Sequence, residues 1–268
     1  MPLVFNHQGL NFHYQDTGFG TPFFFQHGLG GDVKQPFGLF RPPDGMRLIG
    51  FDARGHGETR PLGPPEKISI ASFADDLLAI MDHLQLPQAV VGGISMGAAI
   101  SLNFTLRFSE RVLGLVLSRP AWLDRPFPEN VAIFSQIARL IREHGAKQGK
   151  EIFQQSLIYQ KLRAEFPDTS NSLSAQFDHP RAEETVVKLE RIPNDAPVDT
   201  LEKLSRIGVP TLVLANKRDP IHPFEFGEIL AKAIPAAEFR ELTSKSISLE
   251  RHEAEAQQFL SEFFQRHF

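Results

Sequence analysis

With 268 residues the chain is long enough for one α/β domain carrying an insertion, and its 41% hydrophobic and 22% charged content excludes a disordered polypeptide. A formal charge of −4 gives no electrostatic footprint for nucleic acid, and no apolar run approaches the roughly 20 residues of a membrane-spanning helix. The absence of cysteine removes disulfides, thiolate nucleophiles and thiolate metal sites.

The first residues, from Met1 to His7, contain no basic cluster leading into an apolar core, so no secretory signal and a cytoplasmic location are expected. Residues 3–18 alternate apolar and polar side chains around Gln8-Gly9, which predicts a hairpin. Thr21 to Gln26 is a short apolar run that ends in His27-Gly28-Leu29-Gly30-Gly31, a buried strand entering a glycine-rich loop. Residues 46–52 repeat this design and run into Ala53-Arg54-Gly55-His56-Gly57. Between Ser72 and Leu86, the residues Phe73, Leu77, Ile80, Met81 and Leu84 recur at helical spacing, and Pro87 ends the helix.

The apolar run Ala89-Val90-Val91 then leads into Gly93-Ile94-Ser95-Met96-Gly97, followed by a helical pattern through Ala98, Leu102 and Leu106. A strand that turns into a helix at a serine brings backbones very close together, and glycines on both sides allow that approach. The serine is thereby held on a sharp bend. The amide of Met96 falls at a helix N-terminus, where negative charge is stabilised.

Val112 to Leu117 is the next strand, and alternating helices and buried strands predict a parallel sheet with helices on both faces. From Trp122 to about Thr200 the pattern changes: a proline-containing linker at 123–128 is followed by amphipathic helices such as 131–143 and 151–166, without strands between them. The sheet resumes at Val209 to Ala215, which ends in Asn216-Lys217-Arg218-Asp219-Pro220-Ile221-His222-Pro223. A last strand at 238–242 is followed by Thr243-Ser244-Lys245-Ser246-Ile247 and a final helix, on which His252 shares an apolar face with Ala256, Phe259 and Phe263. The 24 phenylalanines are assigned mainly to core packing, with a few left for an apolar pocket.

In this order, the Gly-x-Ser-x-Gly elbow, the His-Gly loop, the Asp52-x-Arg54-Gly55-x-Gly57 loop and an aspartate after a late strand followed by x-x-x-Pro resemble the α/β-hydrolase family. The resemblance implies an α/β fold with a mostly parallel sheet, a core formed by residues 1–122 and 201–268, and an inserted helical cap at 123–200. It implies Ser95 as nucleophile, Asp219 as the acid with Asp124 as the alternative, and the amides of Leu29 and Met96 as the oxyanion hole. Asp52, Arg54 and His56 then shape a loop, and His27 braces another. The family order of serine, acid and histidine leaves His222, His252 and His267. His222 is so near Asp219 in sequence that it is expected to have difficulty both pairing with it and reaching Ser95, and His267 is expected to fray at the terminus. The family places a Gly-His pair soon after the last strand. This chain has no histidine there, so His252, several residues later, is the expected base.

The chemistry so implied is acyl transfer through an acyl-serine, with small to medium, mainly apolar carboxylic esters as first expectation. Carbon–carbon bond hydrolases, lactonases, thioesterases and amidases use the same parts. A ligand-binding protein with impaired catalysis is the alternative from another class, motivated by the displaced histidine. No cofactor and no metal are expected, since no His-Glu-x-x-His or comparable ligand cluster is present, and the expected partner is a small molecule rather than nucleic acid or membrane.

Overall fold

In the computed structural model, which describes residues 3–268, β1 (Leu3–His7) and β2 (Leu10–Asp16) form the expected hairpin, turning through Gln8 and Gly9 at positive φ. β2 pairs antiparallel with β4 (Met46–Phe51), and β4 pairs parallel with β3 (Thr21–Gln26). Beyond β3 the sheet continues in parallel through β5 (Ala89–Ile94), β6 (Val112–Ser118), β7 (Thr211–Ala215) and β8 (Ala237–Glu241). The order across the eight strands is β1-β2-β4-β3-β5-β6-β7-β8.

Strand β5 is buried along its whole length and β3 and β6 over most of theirs, as expected where helices cover both faces. Strand β3 shows the consequence of the pleat. Phe24 points into one apolar cluster, whereas Phe23 and Phe25 point into the other. Each of these rings is fully buried and contributes about 1.5–3 kcal/mol of apolar transfer.

On the Phe24 face lie α2 (Ile70–His83), capped by the Ser69 hydroxyl, and α3 (Met96–Arg107). On the opposite face, α9 (Leu249–His267) lays Ala256, Leu260, Phe263 and Phe264 against Phe23, Phe25 and Val90, next to the short α1 (Lys34–Leu39). Helix α8 (Phe224–Ala233) joins β7 to β8. His267 is not frayed: it remains helical and pairs with Glu238 Oε1 of β8 at 3.0 Å.

Between β6 and β7 the described chain is helical, with α4 (Ala132–Gln155), α5 (Leu157–Glu165), α6 (Pro167–Asp178) and α7 (Val187–Arg191). α4 runs further than the sequence pattern indicates, with a break at Gly145, whose φ of 73° is a left-handed conformation suited to glycine. A second break falls at Ser156, where the hydroxyl accepts from the Tyr159 amide and starts α5 inside the stretch expected to be one helix. Phe134 of α4 and Asp168 to Leu173 of α6 reach over the carboxyl edge of the parallel strands and close one side of the cavity described next.

Candidate active site

Ser95 stands between β5 and α3 at φ 56° and ψ −110°, a conformation outside both helix and strand. Its amide donates to Ser118 O at 2.9 Å and its carbonyl accepts from Ala99 N at 3.1 Å, so the bend is tied to β6 and to the first turn of α3. Gly97 allows that bend. A β-carbon there would collide with the Gln26 carbonyl of β3, and one on Gly93 would collide with the Gly97 backbone. Gly28 packs on the other side, where a β-carbon would lie 3.5 Å from Ser95 Cβ. Among the described residues neither the Leu29 nor the Met96 amide donates to a protein acceptor.

Ser95 is 8% exposed and opens on a cavity of about 130 Å3, room for about four water molecules at their liquid volume. Its apolar wall includes Leu29, Phe134, Leu173 and Ile221. Its polar wall includes Arg119, Asp168, Asp219, His222 and Lys245. Polar groups make up more of this wall than an apolar ester pocket suggests. Two larger grooves, of about 680 and 730 Å3, lie elsewhere and are not lined by Ser95. Asp124, the alternative acid, lines the first of them rather than the Ser95 cavity.

Asp219 is fixed by four donors. The amides of Ile221 and His222 donate to Oδ1 at 3.2 Å each, His222 Nδ1 donates to Oδ2 at 2.9 Å, and Arg119 Nη1 approaches Oδ2 at 3.3 Å. Burial opposes ionisation, but His222 and Arg119 outweigh it and hold the carboxyl well below the usual carboxylate range. Burial, reinforced by Arg119, lowers the His222 imidazole despite the carboxylate beside it, so at neutral pH the ring is neutral with its proton on Nδ1. The pairing that sequence proximity was expected to hinder is present, while among the described residues His222 makes no hydrogen bond to Ser95. A tight loop, with Arg218 at positive φ and the Asp219 carboxylate bonded to the amides that follow, folds the ring back onto Asp219 while it also lines the Ser95 cavity.

The structure thus brings Ser95, Leu29, Asp219 and His222 to one cavity. His252 is buried, as its helical face predicts, but it is not on the cavity wall: its Nδ1–H donates to the Thr243 carbonyl at 2.8 Å. Burial first, then repulsion from Arg119 and Lys245, lowers it to about 4. Three charged wall residues carry no motif in the sequence: Arg119 follows β6 at a positive φ of 47°, Asp168 lies in the first turn of α6, and Lys245 lies in the segment after β8.

The other residues of the loop motifs are bound internally. His27 Nδ1–H donates to Gly28 O at 2.8 Å and its Nε2 accepts from Ala53 N at 3.1 Å, which ties two loops together. Asp52 accepts from Val33 N and Glu58 N, and Arg54 forms a bidentate pair with Asp76 at 2.6 and 2.7 Å. Among the described residues there is no group of three or more histidines and carboxylates placed to hold a metal ion, and no helix long and apolar enough to cross a membrane.

The sequence profile of the alpha/beta hydrolase fold matches residues 21–250. The chain belongs to the α/β-hydrolase family. Among its relatives in that family, the AB hydrolase superfamily protein YisY of Bacillus subtilis is 28% identical over 241 residues, covering 84% of each chain. The 3-oxoadipate enol-lactonase 2 of Acinetobacter baylyi is 26% identical over 262 residues, covering 88% of this chain and 91% of the relative. The solved enol-lactonase from Burkholderia xenovorans LB400 superposes with a TM-score of 0.74 at 23% identity, over 98% of this chain and all of that one, a likeness of fold. As an α/β-hydrolase, the chain carries hydrolase architecture from β3 to the start of α9.

Proposed function

We propose that this α/β-hydrolase is a serine hydrolase acting on small carboxylic esters, with residues 123–200 as a cap over the site. The single observation that carries the reading is the posture of Ser95: a nearly buried hydroxyl on a positive-φ bend, facing a cavity beside two backbone amides without acceptors. Ser95 Oγ attacks the carbonyl carbon, and the Leu29 and Met96 amides hold the oxygen that becomes negative, each such donor being worth about 3 kcal/mol in the transition state. Loss of the leaving alcohol gives an acyl-serine, which water then hydrolyses.

Asp219 is the fixed negative charge of the site. The base is drawn from the wall that faces Ser95, where His222 and Lys245 are the nitrogen bases. His252 donates to the Thr243 carbonyl, on the loop that carries Lys245. The cavity volume favours a short acyl group. A lactone is an internal ester and suits the same chemistry, and the Acinetobacter relative is an enol-lactonase.

The test is hydrolysis of a short-chain chromogenic ester together with labelling by a serine-directed phosphonate. Ser95→Ala is expected to lower kcat by about 10³–10⁶-fold with the fold retained, and the phosphonate is expected to label Ser95 in the wild type. A folded wild type that neither hydrolyses esters or lactones nor takes the label would favour the ligand-binding alternative.

A further inference from the structure

The Ser95 cavity is lined by one amine that is bound to nothing. Lys245 lies on the loop that leaves β8 and lines the cavity together with Ser95, Arg119, Asp219 and His222. The ammonium groups of Lys150, Lys188, Lys203 and Lys217 each have a carboxylate or carbonyl partner. Among the described residues Lys245 Nζ has neither a hydrogen bond nor an ion pair. Its loop is nevertheless well fixed. The Glu255 carboxylate accepts from the amide and hydroxyl of Thr243, the His252 ring donates to the Thr243 carbonyl, and Ser244 and Ser246 bond to each other. A flexible amine on an anchored loop, aimed into a small cavity and bound to nothing there, is a group placed for proton transfer rather than for stability.

We propose that Lys245 is the general base of the Ser95 reaction. The inference rests on Ser95 being the nucleophile. In the forward step the neutral amine takes the Ser95 Oγ proton as Oγ bonds to the carbonyl carbon, leaving an ammonium and an oxyanion. As the oxyanion collapses, the bond to the leaving oxygen breaks and the ammonium returns the proton to it, so that an alcohol departs and the amine is neutral again. Water repeats the cycle on the acyl-serine, with Ser95 as the leaving group.

The surroundings make the amine available at ordinary pH. The Arg119 guanidinium, and then burial, lower Lys245 to about 8 against the attraction of Asp219, Asp168 and Glu253, and the neighbouring rings of His222 and His252 are themselves lowered. A base is most effective when its pKa lies near the working pH. His222 is the weaker candidate, because burial and Arg119 lower its basicity and with it its pull on a hydroxyl proton. His252, on this reading, is a positioning residue that acts through the Thr243 carbonyl.

The experiment compares wild type, Lys245→Met, Lys245→Arg and His222→Gln, each checked for folding, by kcat/KM on a short chromogenic ester and by the rate of phosphonate labelling between pH 6 and 10. In the wild type both rates should rise with pH along a limb centred near 8. Lys245→Met and Lys245→Arg should both fall by about 10²–10⁴-fold, because arginine keeps the charge but cannot serve as the base. His222→Gln should keep the limb and lose less than about tenfold, below the usual range for loss of a base. Near-normal activity of Lys245→Arg would overturn the proposal, as would a limb that disappears in His222→Gln and persists in Lys245→Met. Labelling that occurs in the wild type and survives Lys245→Met overturns this inference alone, whereas a wild type labelled at no pH overturns the nucleophile as well.

Discussion

The molecule buries two groups of cationic side chains, and they differ in what their donors do. Where the 52–59 loop meets the 179–191 segment, Lys188 Nζ donates to Gly55 O and Thr185 Oγ1, Arg181 Nη1 donates to Gly57 O and Thr59 O, and Arg54 grips Asp76 with two bonds. Beside Ser95, Arg119 reaches Asp219 through one long bond and Lys245 reaches nothing. Both regions hold cations out of water, at a cost that only good partners repay. In the first the donors are spent on carbonyls, a hydroxyl and the carboxylates of Asp76 and Glu184, all of the chain itself, which is the pattern of a structural joint. In the second they are left for something that arrives from outside, and charge or burial alone would not have separated the two.

The comparison would break first at Arg54. Arg54→Met strands the Asp76 carboxylate in the core and is expected to cost about 3–5 kcal/mol, read as a lower denaturant midpoint, with ester hydrolysis per folded molecule little changed. A loss of activity at unchanged stability would erase the distinction.

Lys188 sharpens it through pH. Burial and then Arg181 lower this amine from 10.5 to about 7, so between those values the unfolded chain holds a proton that the folded chain has released. Stability from this group therefore grows as pH rises from 7 towards 10.5 and is lost as pH falls through 7. Thermal melts should show the wild type gaining on Lys188→Met across that interval, and parallel curves would mean that the bonds to Gly55 and Thr185 hold the amine charged throughout. The smallest effect belongs to Lys245. Lys245→Met is expected to leave the melting temperature unchanged or slightly raised, because no bond is lost and the repulsion from Arg119 is relieved, and a clear destabilisation would mark it as one more structural cation.

What the sequence made legible was local. Apolar runs ending in glycine marked β3, β4 and β5, and the spacing of glycines around Ser95 encoded a close backbone approach that only glycine permits. Helical periodicity correctly turned His252 inward, yet periodicity reports a face and not which neighbour that face meets; the ring meets the Thr243 carbonyl. The breaks at Gly145 and Ser156 were hidden inside amphipathic spacing that continues across them. Arg119 and Lys245 were not legible because their role depends on loops after β6, β7 and β8 converging on one point, a relation between distant segments. The many phenylalanines went overwhelmingly to the two cores, and Phe134 is the one that lines the Ser95 cavity.

Ile221 has the Ser95 cavity on one side and the apolar groove of about 730 Å3 on the other, with its carbonyl pinned at 2.7 Å by Asn130 Nδ2, which also holds Ala121 O. Among the described residues Ile221 is the one that the linings of these two spaces share. A shorter side chain at Ile221 is expected to join the two spaces, which would lengthen the acyl chains accepted while leaving Ser95, Asp219 and Lys245 in place.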